Sequence, residues 1–264
     1  MRRLFVVLAC ALAAAGASAA VDLDALWNFA DPAASEARFR EALAGANGDD
    51  AHRELDAIEP ALAVAGVEPR VRAWLERGRT LRSAGKPAEG KPFFMRAYVT
   101  ADAAKLERLA ADALHMVALA EPQLDERIAW NRRTIDYARR ASDPRAQGWQ
   151  AAALNNIGSD LREAGRLAES LAAFRDALAA YERIGRADRV RFARWQVANV
   201  LRLAGQADEA LAMQLALERD AAAADAPDPY VYDELALLHA ARGQAEPAAR
   251  AKARAEELRH GSRK

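Results

Sequence analysis

One pentapeptide pattern, Leu-Arg-x-Ala-Gly, constrains this chain more than any other feature. It occurs as LRSAG from Leu81, LREAG from Leu161 and LRLAG from Leu201, and ARGQAEPAA around Gly243 continues the series. The glycines Gly85, Gly165, Gly205 and Gly243 are spaced by 80, 40 and 38 residues. An interval of 80 among neighbours near 40 predicts a degenerate unit between them. ALAEPQLDER, from Ala118, occupies that place with Glu121-Pro122 where the Ala-Gly turn would stand. Periods of 20 to 50 residues signal stacked repeats in which no single unit buries its own apolar face.

Each unit reads as two helices around a turn. Leu154, Ile157, Gly158 and Leu161 recur at spacings of three and four, one face of a helix. Leu167, Leu171, Phe174, Ala177 and Leu178 repeat the pattern beyond Gly165. Glycine between them can take the left-handed conformation that closes a helix, and the short link that follows predicts an antiparallel helix hairpin. Asp31-Pro32, Asp143-Pro144 and Asp228-Pro229 each place a capping carboxylate before proline at a first helical position. β-Branched residues occur mostly singly, and no segment alternates as a strand does. The expected class is all-α.

These residues resemble the tetratricopeptide repeats. The best-matching unit runs Leu154, Ile157, Gly158, Leu161, Gly165, Leu167, Ser170, Phe174 and Ala177. The unit at Gly85 supplies Trp74, Gly78, Leu81, Phe94 and Ala97. The later two have Gln214 and Lys252 at the aromatic place. The resemblance implies a right-handed solenoid of stacked hairpins over residues 66–264, with about five repeats, one degenerate near 108–141. Residues 21–65 are expected to form an atypical N-terminal helical cap, as terminal repeats do.

The first twenty residues, MRRLFVVLACALAAAGASAA, have Arg2 and Arg3, then an apolar run, then Ala17-Ser18-Ala19. That order is a secretory signal peptide's, so the chain is expected to be exported, to the periplasm, with cleavage after Ala19 or Ala20. The apolar run is short for a bilayer span, so no transmembrane segment is expected after cleavage. Arg2-Arg3 lacks the flanks of a twin-arginine signal. Leu8-Ala9-Cys10 resembles a lipoprotein box, but the apolar run before it is too short. Cys10 is the only cysteine, so the mature chain would have neither a disulfide nor a thiol nucleophile.

Thirty-eight basic residues balance thirty-eight acidic ones. This gives no electrostatic reason to expect nucleic acid. His52, His115, His239 and His260 fall in different units without ligand spacing, so no metal site is expected. His239 reads as a satisfied core or edge histidine. There is no phosphate loop and no nucleophile elbow. No cofactor and no catalytic residue is assigned.

The resemblance implies that the first helices of successive hairpins line a groove for a peptide or protein segment. Its first two units would present Arg72, Leu75, Arg79 and Arg82, then Asp112, Met116 and Leu119. The others would present Asn155, Ser159, Arg162, Phe192, Trp195, Asn199, Arg202, Tyr230, Asp233 and Leu237. Asn155 and Asn199 offer hydrogen bonds to a peptide backbone. Phe192, Trp195 and Tyr230 offer aromatic anchors. The lysines of the family's carboxylate clamp are missing. Arg82, Arg162 and Arg202 recur three residues before each glycine, as a basic ladder for an acidic segment or as helix-end cations near Glu89, Glu169 and Glu209. The second role is worth ~0.3–1 kcal/mol each. Trp74, Trp130 and Trp149 read as packing residues. The leading expectation is a non-catalytic envelope adaptor. A structural or assembly factor using convex or terminal surfaces is the second reading, and an enzyme with a convergent site the third.

Overall fold

The computed structural model describes residues 66–261, so the expected signal peptide, N-terminal cap and Asp31-Pro32 cap lie outside the described residues. Eleven helices run through the described part. They are α1 (Val67–Ser83), α2 (Pro87–Ala103), α3 (Glu107–Leu119), α4 (Leu124–Arg140) and α5 (Pro144–Gln147), then α6 (Trp149–Glu163), α7 (Leu167–Ile184), α8 (Ala187–Leu203), α9 (Ala207–Ala223), α10 (Pro229–Ala241) and α11 (Ala245–Gly261). No strand occurs among the described residues. The chain divides into two compact units after Trp149. The hairpins α1–α2 and α3–α4 belong to the first, and α6–α7, α8–α9 and α10–α11 to the second, with the degenerate unit forming α3–α4 as its spacing predicts. The first helix of each hairpin is called A and the second B.

The recurring glycine does what its position demands. Gly165 sits at φ 72°, and Arg166 N–H reaches back to Leu161 C=O at 2.9 Å. This is the six-to-one bond that ends a helix on a left-handed residue. Gly85, Gly205 and Gly243 repeat it. The glutamate four residues beyond the first three of these glycines falls in the first turn of the B helix, as Glu89, Glu169 and Glu209, where a carboxylate meets the positive end of the helix dipole. Two B helices close in the same way without glycine. Lys105 at φ 60° and Asp225 at φ 48° take the left-handed place, and Leu106 and Ala226 donate the closing bonds at 2.8 and 2.9 Å.

Caps open two A-side segments as expected. Asp143 Oδ1 accepts from Arg145 N–H at 2.8 Å, and Asp228 Oδ1 from Tyr230 N–H at 2.9 Å. The segment after Asp143 differs from a plain helix start: α5 is one turn, ended at Gly148, before α6 begins. Glu107 secures that corner, accepting from Ser142 N–H, Ser142 Oγ–H and Asp143 N–H at 2.7–2.9 Å. Those bonds hold its carboxyl below the usual glutamate range.

Each unit has its own core. Val71, Leu75, Phe94, Leu109 and Val117 centre the first, and Phe174, Val197, Leu201, Leu217, Leu235 and Leu238 the second. The A and B helices approach closely because small residues face large ones. Phe94 and Phe174 are fully buried, each over a glycine of its own A helix, Gly78 and Gly158. On the neighbouring turn, Ser170 Oγ–H donates to Gly158 C=O at 2.6 Å. Trp74 and Trp130 pack against the first core, and Trp149 against a small alanine cluster formed by Ala111, Ala141 and Ala146. All three are packing residues, as expected.

Candidate protein-segment binding face

Within each unit, successive A helices are joined by side chains 32 to 37 residues apart. In the second unit this produces a continuous polar chain across α6, α8 and α10. Arg162 Nη1 donates to Gln196 Oε1 at 2.7 Å and to Asn199 Oδ1 at 3.1 Å. Asn199 Nδ2 donates onward to Glu234 Oε1 at 2.8 Å. Arg202 grips the same carboxylate through Nε at 2.6 Å and Nη2 at 3.0 Å. Gln196, Asn199 and Glu234 are only 4, 8 and 5 % exposed, so each must be paired inside the protein. The hydrogen bond to Glu234 is the main reason the Arg202 pKa is raised.

Beside this chain stands an aromatic group. Trp195, one turn before Asn199, donates its indole N–H to Tyr230 C=O at 3.1 Å, and the two rings meet edge to face with centroids 6.3 Å apart. Tyr230 is 62 % exposed and Phe192 42 %. Trp195 is thus held by a hydrogen bond while its neighbours face solvent. A rigid aromatic pair next to a fixed polar network can hold an extended segment by apolar contact and orient it by hydrogen bonds.

Several expected contact residues turn out to be structural. Asn199 does not offer a free amide, because Arg162 and Glu234 occupy its two ends. Asn155 is half-buried, and its Oδ1 is buried without a partner. In the first unit, Leu75 and Met116 lie in the core, a consequence of their position between the A and B helices. Asp112 is buried because Arg79 binds both its oxygens at 2.7 Å. Arg79 also contacts Glu76; burial pulls its pKa down, the two carboxylates outweigh this, and the net shift is upward. Arg82 is exposed, with Nε 3.4 Å from Leu119 C=O.

The recurring arginines therefore reach forward to the next A helix. Of the glutamates expected near them, Glu169 bonds Arg166 and Glu209 bonds Arg175. The recurring arginines still lie in the last turns of their helices, so the dipole contribution coexists with the ladder. Sequence reasoning missed Gln196 and Glu234. The available signal was their position 34 and 32 residues after Arg162 and Arg202, within one repeat period. Asp233, also expected on this face, pairs with Arg259.

His115 and His239 each have a partner within the protein. The His115 ring meets that of Trp149 at a tilt, with centroids 4.7 Å apart, and its removal from water lowers its pKa to about 4. His239 Nδ1 lies 2.6 Å from Gln244 Oε1, an edge histidine with a partner. Among the described residues no cluster of potential ligands suits a metal ion, and no helix is long and apolar enough to cross a membrane.

The hairpins thus repeat near every 40 residues, with small-on-large packing and glycine-closed A helices. Residues 149–221 match the tetratricopeptide repeat model. No curated protein matches the chain in sequence. Tetratricopeptide-like folds recur among solved structures. A Podosopora anserina chain of nearly identical TPR-like repeats aligns with a TM-score of 0.56 at 16 % identity, covering 73 % of this chain and 96 % of that one. BtubC from P. vanneervenii aligns with a TM-score of 0.64 at 14 % identity, covering 88 % and 93 %. A Rap protein complexed with competence and sporulation factor aligns with a TM-score of 0.59 at 15 % identity, covering 85 % and 66 %. At such identities the likeness is one of fold.

Proposed function

We propose that this chain is an exported, non-catalytic adaptor that holds a segment of another protein along the A-helix face of α6, α8 and α10. One observation carries the reading: the exposed Phe192 and Tyr230 flank a hydrogen-bonded Trp195 beside a continuous polar network. Interface hot spots favour this kind of rigid aromatic anchor bordered by satisfied polar groups. The Rap structure solved with competence and sporulation factor, and a Rap conjugation gene regulator solved with the Phr* peptide, support the idea that folds of this kind hold a peptide. The B helices look different. Arg166–Glu169 and Arg175–Glu209 are exposed ion pairs, the features of a solvated surface, which argues against an assembly role through those helices.

The test is selection from a displayed random-peptide library. The full chain should enrich peptides with apolar or aromatic residues, and Trp195→Ala with Tyr230→Ala should abolish that enrichment while the helical content stays unchanged. Equal enrichment by the double variant would refute the binding face. Export rests on Arg2, Arg3 and the apolar run of residues 4–15. N-terminal sequencing of the protein from cells should begin at Ala20 or Val21; an intact Met1 would contradict it.

A further inference from the structure

Arg162 and Arg202 occupy the same place in successive A helices, forty residues apart, but they are partnered differently. Arg202 uses its Nε and Nη2 edge to grip the carboxylate of Glu234 on the following A helix. At the matching place one repeat earlier, the following A helix supplies Gln196. Arg162 donates from Nη1 alone, to the neutral amide oxygens of Gln196 and Asn199. Among the described residues no carboxylate pairs with it. In the first unit Arg79, on the same face, is neutralised by Asp112 and Glu76.

A guanidinium presents five N–H donors in a rigid fork, and its Nε–Nη2 edge fits a carboxylate with two parallel bonds. Gln196 and Asn199, both buried, fix the fork of Arg162 through the other nitrogen and supply no counter-charge, and the Phe174 ring centroid lies 5.7 Å from its Cζ. A half-buried cation gains most from a counter-charge brought to its free edge. The neighbouring repeat identifies that group, because in the same slot Glu234 supplies a carboxylate.

We propose that Arg162 receives a carboxylate from the bound segment, either an acidic side chain or a chain terminus, next to the Trp195–Tyr230 aromatic pair. Gln196 is then the residue that keeps the site open, since a glutamate there would satisfy Arg162 from within. This rests on the A-helix face being the binding face.

The experiment uses the full chain, a displayed library of random dodecapeptides with blocked C-termini, and the selected peptides synthesised as free acids and as amides. The wild type should enrich Asp or Glu beside apolar residues, or bind free acids better than amides; the first outcome identifies a side chain and the second a terminus. Gln196→Glu should fold, raise the thermal midpoint and lower affinity for the acidic peptides by about tenfold or more. Arg162→Met should lose the acidic preference and keep the apolar one. A wild type indifferent to carboxylates, or a Gln196→Glu variant with undiminished acidic preference, would overturn the proposal. If selection depends on Trp195 and Tyr230 but never on a carboxylate, only this proposal fails. If it depends on neither, the binding-face reading fails with it.

Discussion

Replacing Gly158 by alanine sets two physical effects of opposite sign against each other. In a helix interior, Gly→Ala ordinarily stabilises by about 1 kcal/mol through backbone entropy. Here the added Cβ would stand 2.7–2.8 Å from Cδ1, Cε1 and Cγ of Phe174, where carbon atoms prefer ~3.5–4.0 Å. The ring would have to move by about 1 Å, and Phe174 is fully buried with packed neighbours. Overpacking of that kind costs about 1–3 kcal/mol. The net expectation is destabilisation on the order of 1 kcal/mol. In a Phe174→Leu background the ring is gone, and Gly158→Ala should stabilise by up to about 1 kcal/mol. Urea unfolding followed by far-ultraviolet circular dichroism measures both, compared as midpoints at equal slope. A higher midpoint for Gly158→Ala in the wild-type background, or the same response in both backgrounds, would refute the packing argument.

Other outcomes follow from particular contacts. Gln214 is fully buried with neither end of its amide partnered, so Gln214→Met should raise stability by about 1–2 kcal/mol in the same assay, because an unmet buried polar group is removed. Glu234→Ala should cost about 2–4 kcal/mol, since it leaves Asn199 and Arg202 without their shared acceptor. His115, whose pKa falls from 6.5 to about 4 on folding, contributes stability that is complete above pH 6.5 and is lost as pH falls toward 4. The unfolded chain binds the extra proton in that window, so the slope approaches ~1.4 kcal/mol per pH unit. Burial is the main cause, Asp112 opposes it, and Arg79 and Arg82 add to it; His115→Gln should flatten the profile measured from about pH 7 to 5.

The hairpins were legible in the sequence because glycine marks four of the five A-helix ends and the repeat period exposes the degenerate unit. The B-helix ends were less visible, since Lys105 and Asp225 take the left-handed conformation without the residue that advertises it. The small-on-large rule is readable in retrospect at a spacing of sixteen residues. Gly78 pairs with Phe94 and Gly158 with Phe174, whereas Ala118, Ala198 and Ala236 stand opposite Thr134, Gln214 and Lys252 in the repeat pattern. That Phe192, Trp195 and Tyr230 lie together beside the polar chain was legible from their places on the A helices. The role of Asn199 was not, because its burial depends on Arg162 and Glu234 approaching from two other helices. Pairings of that kind belong to the stacking of repeats, and no single repeat encodes them.

The central claim, that the A-helix face of α6, α8 and α10 holds a protein segment, is tested most directly by site-specific photocrosslinking in living cells. A photoreactive phenylalanine at Phe192 or Tyr230 should yield a discrete protein adduct that disappears when Trp195→Ala is added, while the same group at Arg175, on the B helix α7, should yield none. Adducts from Arg175 but not from Phe192 or Tyr230 would contradict the account.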